Sequence, residues 1–549
     1  MSGTAEVVGA STAIQPAKAA MDHRKSQRLM LLGIFAVMAI LQFTVLGRQS
    51  LWVDEVFSLA MATGHSLEHS PAVADPARGD FAETDHPIPA GELQRYLKHE
   101  APQESPKRVI RAVLLSDTSP PLYYLLLYVW TLVLGTSDFA IRSLSVLCSV
   151  ACLPFMAGIA RRTGGDKAIV PACALLALSP LGLYFFVEAR MYPLLLLCLL
   201  ATAWSSLVLR ERERGVWQYL LWIASSAAGL LTHYFFLFPW GAMIAFLLIT
   251  PGQLKRRNLV GAVAIVGLIL LPWYLEAASY LGQWRVTAGW LEIRPTRFRR
   301  LHATRNQLLQ FFSSGNAGLW QYDRWSSLAA IMIFMSIAAV AAWRLRLRLF
   351  FGARLLLWLW MLAAWAAPTC IDLVRHTYLS NNARYALGAL PAAYLLTAIG
   401  IACFGRKVRI AALLAIVLAW AGPIASIYQE KARVREPFLE IAKFVSSDAT
   451  SSDLVLVHSI PSGVLGIARY ANPSLNIASW VQQLGNRQLP ESVLALARGR
   501  SRILYVKVHQ LNEPAPEEEW LRANTRPIRE SRFGLGVVIE FCPLEAKTF

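Results

Sequence analysis

The sequence predicts an α-helical polytopic membrane protein of about 11 spans with a small α/β domain at its C-terminus. Three observations predict it. Of the 549 residues, 55% are hydrophobic and only 16% charged, against about 25% charged in soluble domains. Eleven apolar runs have the length that crosses about 30 Å of hydrocarbon, roughly 17–25 residues. Beyond residue 428 the pattern changes to short β-type runs alternating with helical stretches. These features exclude an ordinary water-soluble enzyme. Plentiful aromatic residues and the lack of a repeat period exclude a disordered chain and a fibrous array.

The runs fall near 29–47, 139–160, 168–187, 191–209, 217–232, 234–250, 259–276, 327–343, 353–371, 385–404 and 408–428. The first follows Arg24, Lys25 and Arg28. Its apolar core is too long for a signal peptide, no small-residue cleavage site follows, and more spans come after it. The run 121–135 is about 15 residues, short for a span. If it does not cross, every cationic short loop falls on one side: Arg161/Arg162/Lys167, Arg210/Arg212/Arg214, Lys255/Arg256/Arg257, Arg344/Arg346/Arg348/Arg354 and Arg406/Lys407/Arg409. The positive-inside rule expects that placement. Residues 121–135 are therefore expected to lie in or dip into the outer interface, with residues 1–28 a cytoplasmic tail. The net charge of +18 then orients spans and does not bind nucleic acid.

Three pieces are expected outside the cytoplasm: a loop 48–138, a basic and Trp-containing loop 277–325, and a domain 429–549. The last carries β-type runs at 454–457, 503–508 and 536–541, with helical stretches at 435–446 and 490–498. No Gly-rich phosphate loop opens its helices, so no nucleotide is expected there. Six of the seven cysteines lie in or beside apolar runs, no CxxC pair exists, and thiolate metal sites have no candidate.

Polar residues at the outer ends of the spans carry the chemical signal. Asp54 and Glu55 follow the first span; adjacent carboxylates at a membrane boundary are costly to desolvate, though in an exposed loop they would only face water. Asp117 precedes Pro120-Pro121 and the short apolar run, where it would at minimum cap a helix. Glu188 and Arg190, with Tyr192, sit in a very apolar reversal and would at minimum form a structural ion pair. His233 and Tyr234 occupy the next outer reversal, and Arg384 and Tyr385 open the tenth run. A lone His at a span end is commonly structural, and a lone interfacial Arg commonly snorkels. Together these groups are what an enzyme handling a phosphorylated lipid at an interface needs. A carboxylate accepts a proton from a hydroxyl nucleophile, and Arg binds a leaving phosphate. A transporter would place charges at the midplane in broken helices.

The motifs resemble those of C-type membrane glycosyltransferases. Trp52-x-Asp54-Glu55-x-x-Ser58 resembles the acidic motif of their first outer loop. More narrowly, the chain is similar to glycosyltransferase family 39 and the related bacterial group, which includes protein O-mannosyltransferases and the aminoarabinose and galacturonic acid transferases acting on lipopolysaccharide. Asp117-Thr-Ser-Pro-Pro-Leu122 resembles the family's acidic-x-His-Pro-Pro-Leu segment, with Ser119 in place of His. Glu188-Ala-Arg-Met-Tyr192, His233-Tyr234 and Arg384-Tyr385 resemble three further signatures. The resemblance covers roughly residues 29–405. It implies transfer of a sugar from a polyprenyl-phosphate carrier to an acceptor hydroxyl of a cell-envelope glycan, lipid or protein. It further implies the outer face of a bacterial inner membrane, inversion at the sugar, and Asp54 as general base. Glu55 would be its neighbour at the acceptor and Asp117 would shape the site. Glu188, Arg190, Tyr192, His233, Tyr234, Arg384 and Tyr385 would bind substrate.

Two rival classes remain. A polymerase or ligase using a polyprenyl-diphosphate glycan would rely on a basic outer loop such as 277–325. A lipid or solute transporter would do no chemistry. A divalent ion is also open, with Asp54, Glu55 and Asp117 as oxygen donors.

Overall fold

In the computed structural model the described residues are 6–69, 74–100, 105–117, 119–211, 215–280, 294–313, 324–428 and 436–542. Residues 281–293 and 314–323 of the basic segment, Arg285 among them, lie outside the described residues, as do Arg212 and Arg214.

Apolar sequence without nearby water must satisfy its backbone internally, and helices do so. Among the described residues, eight helices are long and apolar enough to cross a membrane: Lys25–Phe43, Asp138–Gly164, Tyr192–Glu211, Arg256–Tyr280, Trp325–Leu349, Ala353–Arg375, Ala383–Ala402 and Arg406–Tyr428. A ninth span is formed if Asp166–Leu178 and Pro180–Phe186, bent by 57°, count together. The bend has a local cause. A residue before proline is pushed out of the helical region, and Ser179 obliges with ψ 120° while its hydroxyl accepts from Gly182 N–H at 2.9 Å. The remaining two of the eleven apolar runs become the shorter helices Val216–Leu230 and Tyr234–Ile249. Helix Leu122–Leu134 has 13 residues, which at 1.5 Å per residue spans about 20 Å, short of the ~30 Å of hydrocarbon.

Among the described residues the C-terminal part supplies five strands of a six-stranded mixed sheet: β1 (Ile88–Pro89), from the first loop, then β2 (Leu454–His458), β3 (Asn476–Trp480), β4 (Ile503–Val508), β5 (Pro527–Phe533) and β6 (Gly536–Phe541). Its order is β1-β3-β2-β4-β6-β5. β3, β2 and β4 are parallel, with helices Pro461–Tyr470 and Glu491–Ala497 in the crossovers. Apolar side chains of β2 and β4 are buried on both faces, as parallel strands require. β3 and β5 join the three β-type runs read from the sequence. β1 comes from the first loop and pairs Ile88 with Ile477. Loop 48–138 and the C-terminal residues therefore share one sheet.

That sheet is docked on the helical bundle by polar contacts. Arg469 Nη2 lies 2.7 Å from Asp138 Oδ1, Tyr470 donates to Asp138 Oδ2 at 2.5 Å, and Leu51 N–H donates to Tyr470 Oη at 2.8 Å. The helix Pro461–Tyr470 thus binds both the start of the helix Asp138–Gly164 and the chain just before Asp54.

Candidate active site

Asp54 and Glu55 do not sit on an extended segment, where neighbours would point to opposite sides. They occupy the first turn of the helix Val53–Ala62, where acidic residues suit the positive helix end. The helical turn sends the two carboxylates to different surroundings. Glu55 is fully buried and grips Arg142, with Nε at 2.7 Å from Oε1 and Nη2 at 2.6 Å from Oε2. Its Oε1 also accepts from Ala189 N–H at 2.8 Å. Arg142 donates further to the carbonyls of Leu46, Gln49 and Ser50. This clamp ties the first loop, the helix Asp138–Gly164 and the 188–191 reversal into one unit.

Asp54 faces a cavity of roughly 440 Å³, within the usual size range of small-molecule sites. Its Oδ2 receives Arg384 Nη1 at 2.9 Å and has Arg190 Nη2 at 3.8 Å. Arg190 turns away from the sequence-suggested pairing with Glu188; its Nη1 donates to Ser58 Oγ at 3.0 Å and to the Asp54 carbonyl at 3.3 Å. Arg384 is held by the Tyr385 ring, 5.1 Å from its guanidinium carbon, and donates to the Tyr385 hydroxyl at 3.2 Å. The turn delivering it is pinned by Asp372, which accepts from the N–H groups of Leu379 at 2.7 Å and Ser380 at 2.8 Å. The described part of the basic segment forms helix Arg297–Gln310 and braces the same turn, Gln307 donating to the Asn382 carbonyl at 2.9 Å.

Asp117 also lines the cavity; its Oδ2 accepts from Ser119 Oγ and, at 3.3 Å, from Tyr124 Oη. Ser119, standing where the resembling segment has His, thus lies in the cavity wall. Tyr192 and His233 complete the wall with their rings 6.0 Å apart, and His233 Nδ1 accepts from Phe235 N–H at 3.1 Å.

Of the ten residues singled out in the sequence, seven therefore line one cavity: Asp54, Asp117, Arg190, Tyr192, His233, Arg384 and Tyr385. Glu55 and Glu188 are fully buried and do not line it. Tyr234 packs instead against Tyr274, ring centroids 6.0 Å apart. Sequence reasoning missed Arg142, although an arginine inside an otherwise apolar run is the signal that finds it. It also missed Glu68 and, from the C-terminal domain, Ile460, Ser462 and His509; no local pattern marks these. The three carboxylates offered for a divalent ion do not converge, because Glu55 is committed to Arg142. Among the described residues no three His, Cys, Asp or Glu side chains form a metal-binding group.

Buried guanidinium groups around one carboxylate, in a cavity at the ends of several spans, suit transfer of a group from an anionic carrier. Residues 118–275 match the family model of dolichyl-phosphate-mannose-protein mannosyltransferases. We found no curated protein whose sequence matches the chain. ArnT from Cupriavidus metallidurans bound to undecaprenyl phosphate is similar at 12% identity, over 93% of this chain and 97% of that one, with TM-score 0.56. Its apo structure gives the same identity and coverage, with TM-score 0.58. The oligosaccharyltransferase of Archaeoglobus fulgidus, in complex with Zn and sulfate, is similar at 12% identity over 87% of this chain and 67% of that one, with TM-score 0.48.

The chain has the fold of the C-type membrane glycosyltransferases. Over residues 118–275 it is similar to the dolichyl-phosphate-mannose-protein mannosyltransferase type, family 39.

Proposed function

We propose that this protein transfers a sugar from a polyprenyl-phosphate carrier to an acceptor hydroxyl, with Asp54 as general base. The observation that carries the reading is Asp54, held by Arg384 and flanked by Arg190 in a cavity ringed by Asp117, Tyr192 and His233. The undecaprenyl phosphate bound to ArnT, a protein of the same fold, supports the carrier class.

The step balances as a single displacement. The acceptor oxygen attacks the anomeric carbon while the bond from that carbon to the phosphate oxygen breaks. The bonding electrons leave with the phosphate, whose charge Arg190 and Arg384 neutralise. The hydroxyl proton passes to Asp54. Attack and departure on opposite faces invert the sugar. An arriving phosphate shares the two guanidinium groups with Asp54 and frees its carboxylate for the hydroxyl. Trp52 and Phe57, also in the cavity wall, limit water.

The cavity faces the extracytoplasmic side of a bacterial inner membrane in this reading, with the N-terminus in the cytoplasm and the 429–549 domain outside. The one-sided cationic loops support that orientation. The acceptor belongs to the cell envelope, as glycan, lipid or protein. Incubation of purified protein with a panel of polyprenyl-phosphate sugars and a membrane extract tests the function. Sugar should leave the carrier in wild type and stay on it in Asp54→Asn. Equal turnover in both would overturn the assignment of the base, and no turnover with any donor would overturn the donor class.

A further inference from the structure

The C-terminal domain reaches the cavity through the carboxyl edge of its parallel strands. β2 and β4 are adjacent and parallel. Ile460 and Ser462 follow β2, His509 follows β4, and all three line the cavity that holds Asp54 and Arg384. The carboxyl edge of a parallel sheet is where α/β proteins commonly bind ligands.

His509 is built into its place. Its backbone is left-handed, with φ 69°, a conformation uncommon outside glycine. Its Nδ1 lies 2.7 Å from Oε1 of Glu436, whose side chain is 6% exposed, and Nε2 takes no part in that pair. Burial by itself disfavours the charged ring. The hydrogen bond and charge of Glu436, then the charges of Asp54 and Glu513, outweigh burial and raise the pKa above its ordinary value. The other cavity histidine behaves oppositely: burial, then Arg190 and Arg384, push His233 down to about 3. The remaining charged groups of the lining are the carboxylates Asp54, Glu68 and Asp117 and the guanidinium groups of Arg190 and Arg384. Formal charges in the cavity wall therefore balance when His509 is protonated, and leave one negative charge in excess when it is not.

We propose that His509 is a third cation for the carrier's phosphodiester, supplied by the C-terminal domain, so that donor binding needs both parts of the chain. The inference rests on the reading of Arg190 and Arg384 as phosphate partners. It assigns the C-terminal domain a share of the donor site, beyond any part in choosing the acceptor. It also makes donor affinity depend on pH, full below the His509 pKa and lost as pH rises through it.

The test uses the full chain in nanodiscs and a polyprenyl methyl phosphate, a diester whose single charge does not change between about pH 5 and 9. Binding is measured by calorimetry across that range. Wild type should bind about tenfold more weakly at the alkaline end, the scale of one charge-assisted hydrogen bond. Asn tolerates a left-handed backbone, so His509→Asn should keep the fold. It should bind at all pH values as wild type does at the alkaline end. Glu436→Gln should move the fall to lower pH. A wild-type pH dependence in His509→Asn would overturn the inference. The Arg384→Ala arm separates the two readings: it should weaken binding at every pH and keep the pH dependence. Undiminished affinity in that variant would remove Arg384 as a phosphate partner, whatever His509 does.

Discussion

Replacing Glu55 by Gln tests whether the second carboxylate of the acidic pair is structural or chemical. Glu55 accepts two hydrogen bonds from Arg142, at 2.7 and 2.6 Å, and one from Ala189 N–H at 2.8 Å. Both partners of the ion pair are essentially out of solvent, 1% exposed for Arg142 and 0% for Glu55. Gln keeps the shape, removes the charge and turns an amide donor toward one of these donors. Breaking a buried pair from one side costs about 3–5 kcal/mol, because the surviving charge is uncompensated. Arg142 keeps three carbonyl acceptors, so the loss should sit near the lower end, about 3 kcal/mol. The assay is thermal unfolding in detergent followed by size-exclusion fluorescence. Glu55→Gln should melt well below wild type, while its folded fraction retains turnover. The double variant Glu55→Leu/Arg142→Met should melt above the single one, since removing both charges removes the uncompensated one. Wild-type melting of Glu55→Gln together with lost turnover would refute the structural reading and place Glu55 in the chemistry.

Asp54→Asn should lower turnover roughly 10²–10⁴-fold, the usual scale of general-base help, with melting and carrier binding near wild type. Arg384→Ala should weaken binding of a polyprenyl phosphate by about 10-fold or more, as expected for a lost charge-assisted contact, and equilibrium binding checks it. Asp138→Asn should loosen the C-terminal domain, because Arg469 and Tyr470 both use that carboxylate; faster amide exchange in the helix Pro461–Tyr470 reports it, and unchanged exchange would contradict the docking role. Single-cysteine variants at the exposed residues Asp85 and Arg498 should both react with an impermeant thiol reagent from outside the cytoplasm, and protection of both would reverse the orientation.

Span positions and the type of most C-terminal elements were legible because they follow from local composition. A long run of apolar residues satisfies its backbone as a helix where it meets lipid, and a short apolar run rich in β-branched residues, such as 503–508, favours a strand. β1 was not legible, since Ile88-Pro89 is too short to carry a period and exists through its partner Ile477. The bend at Ser179-Pro180 was readable from the proline, which sets it locally, but its 57° angle was not.

The candidate site divides in the same way. By itself the sequence determined which charged groups lie at the ends of apolar runs, because desolvation makes such groups conspicuous whatever the fold. Seven of them meet in one cavity. Only the tertiary structure decided that Asp54 faces that cavity while Glu55 turns to Arg142, since two neighbours on a first helical turn are separated by what packs on each side. Only the tertiary structure brought His509 within the same walls, 455 positions after Asp54 in the numbering. Contacts across such a separation arise when the bundle and the sheet dock, and no local residue pattern encodes them.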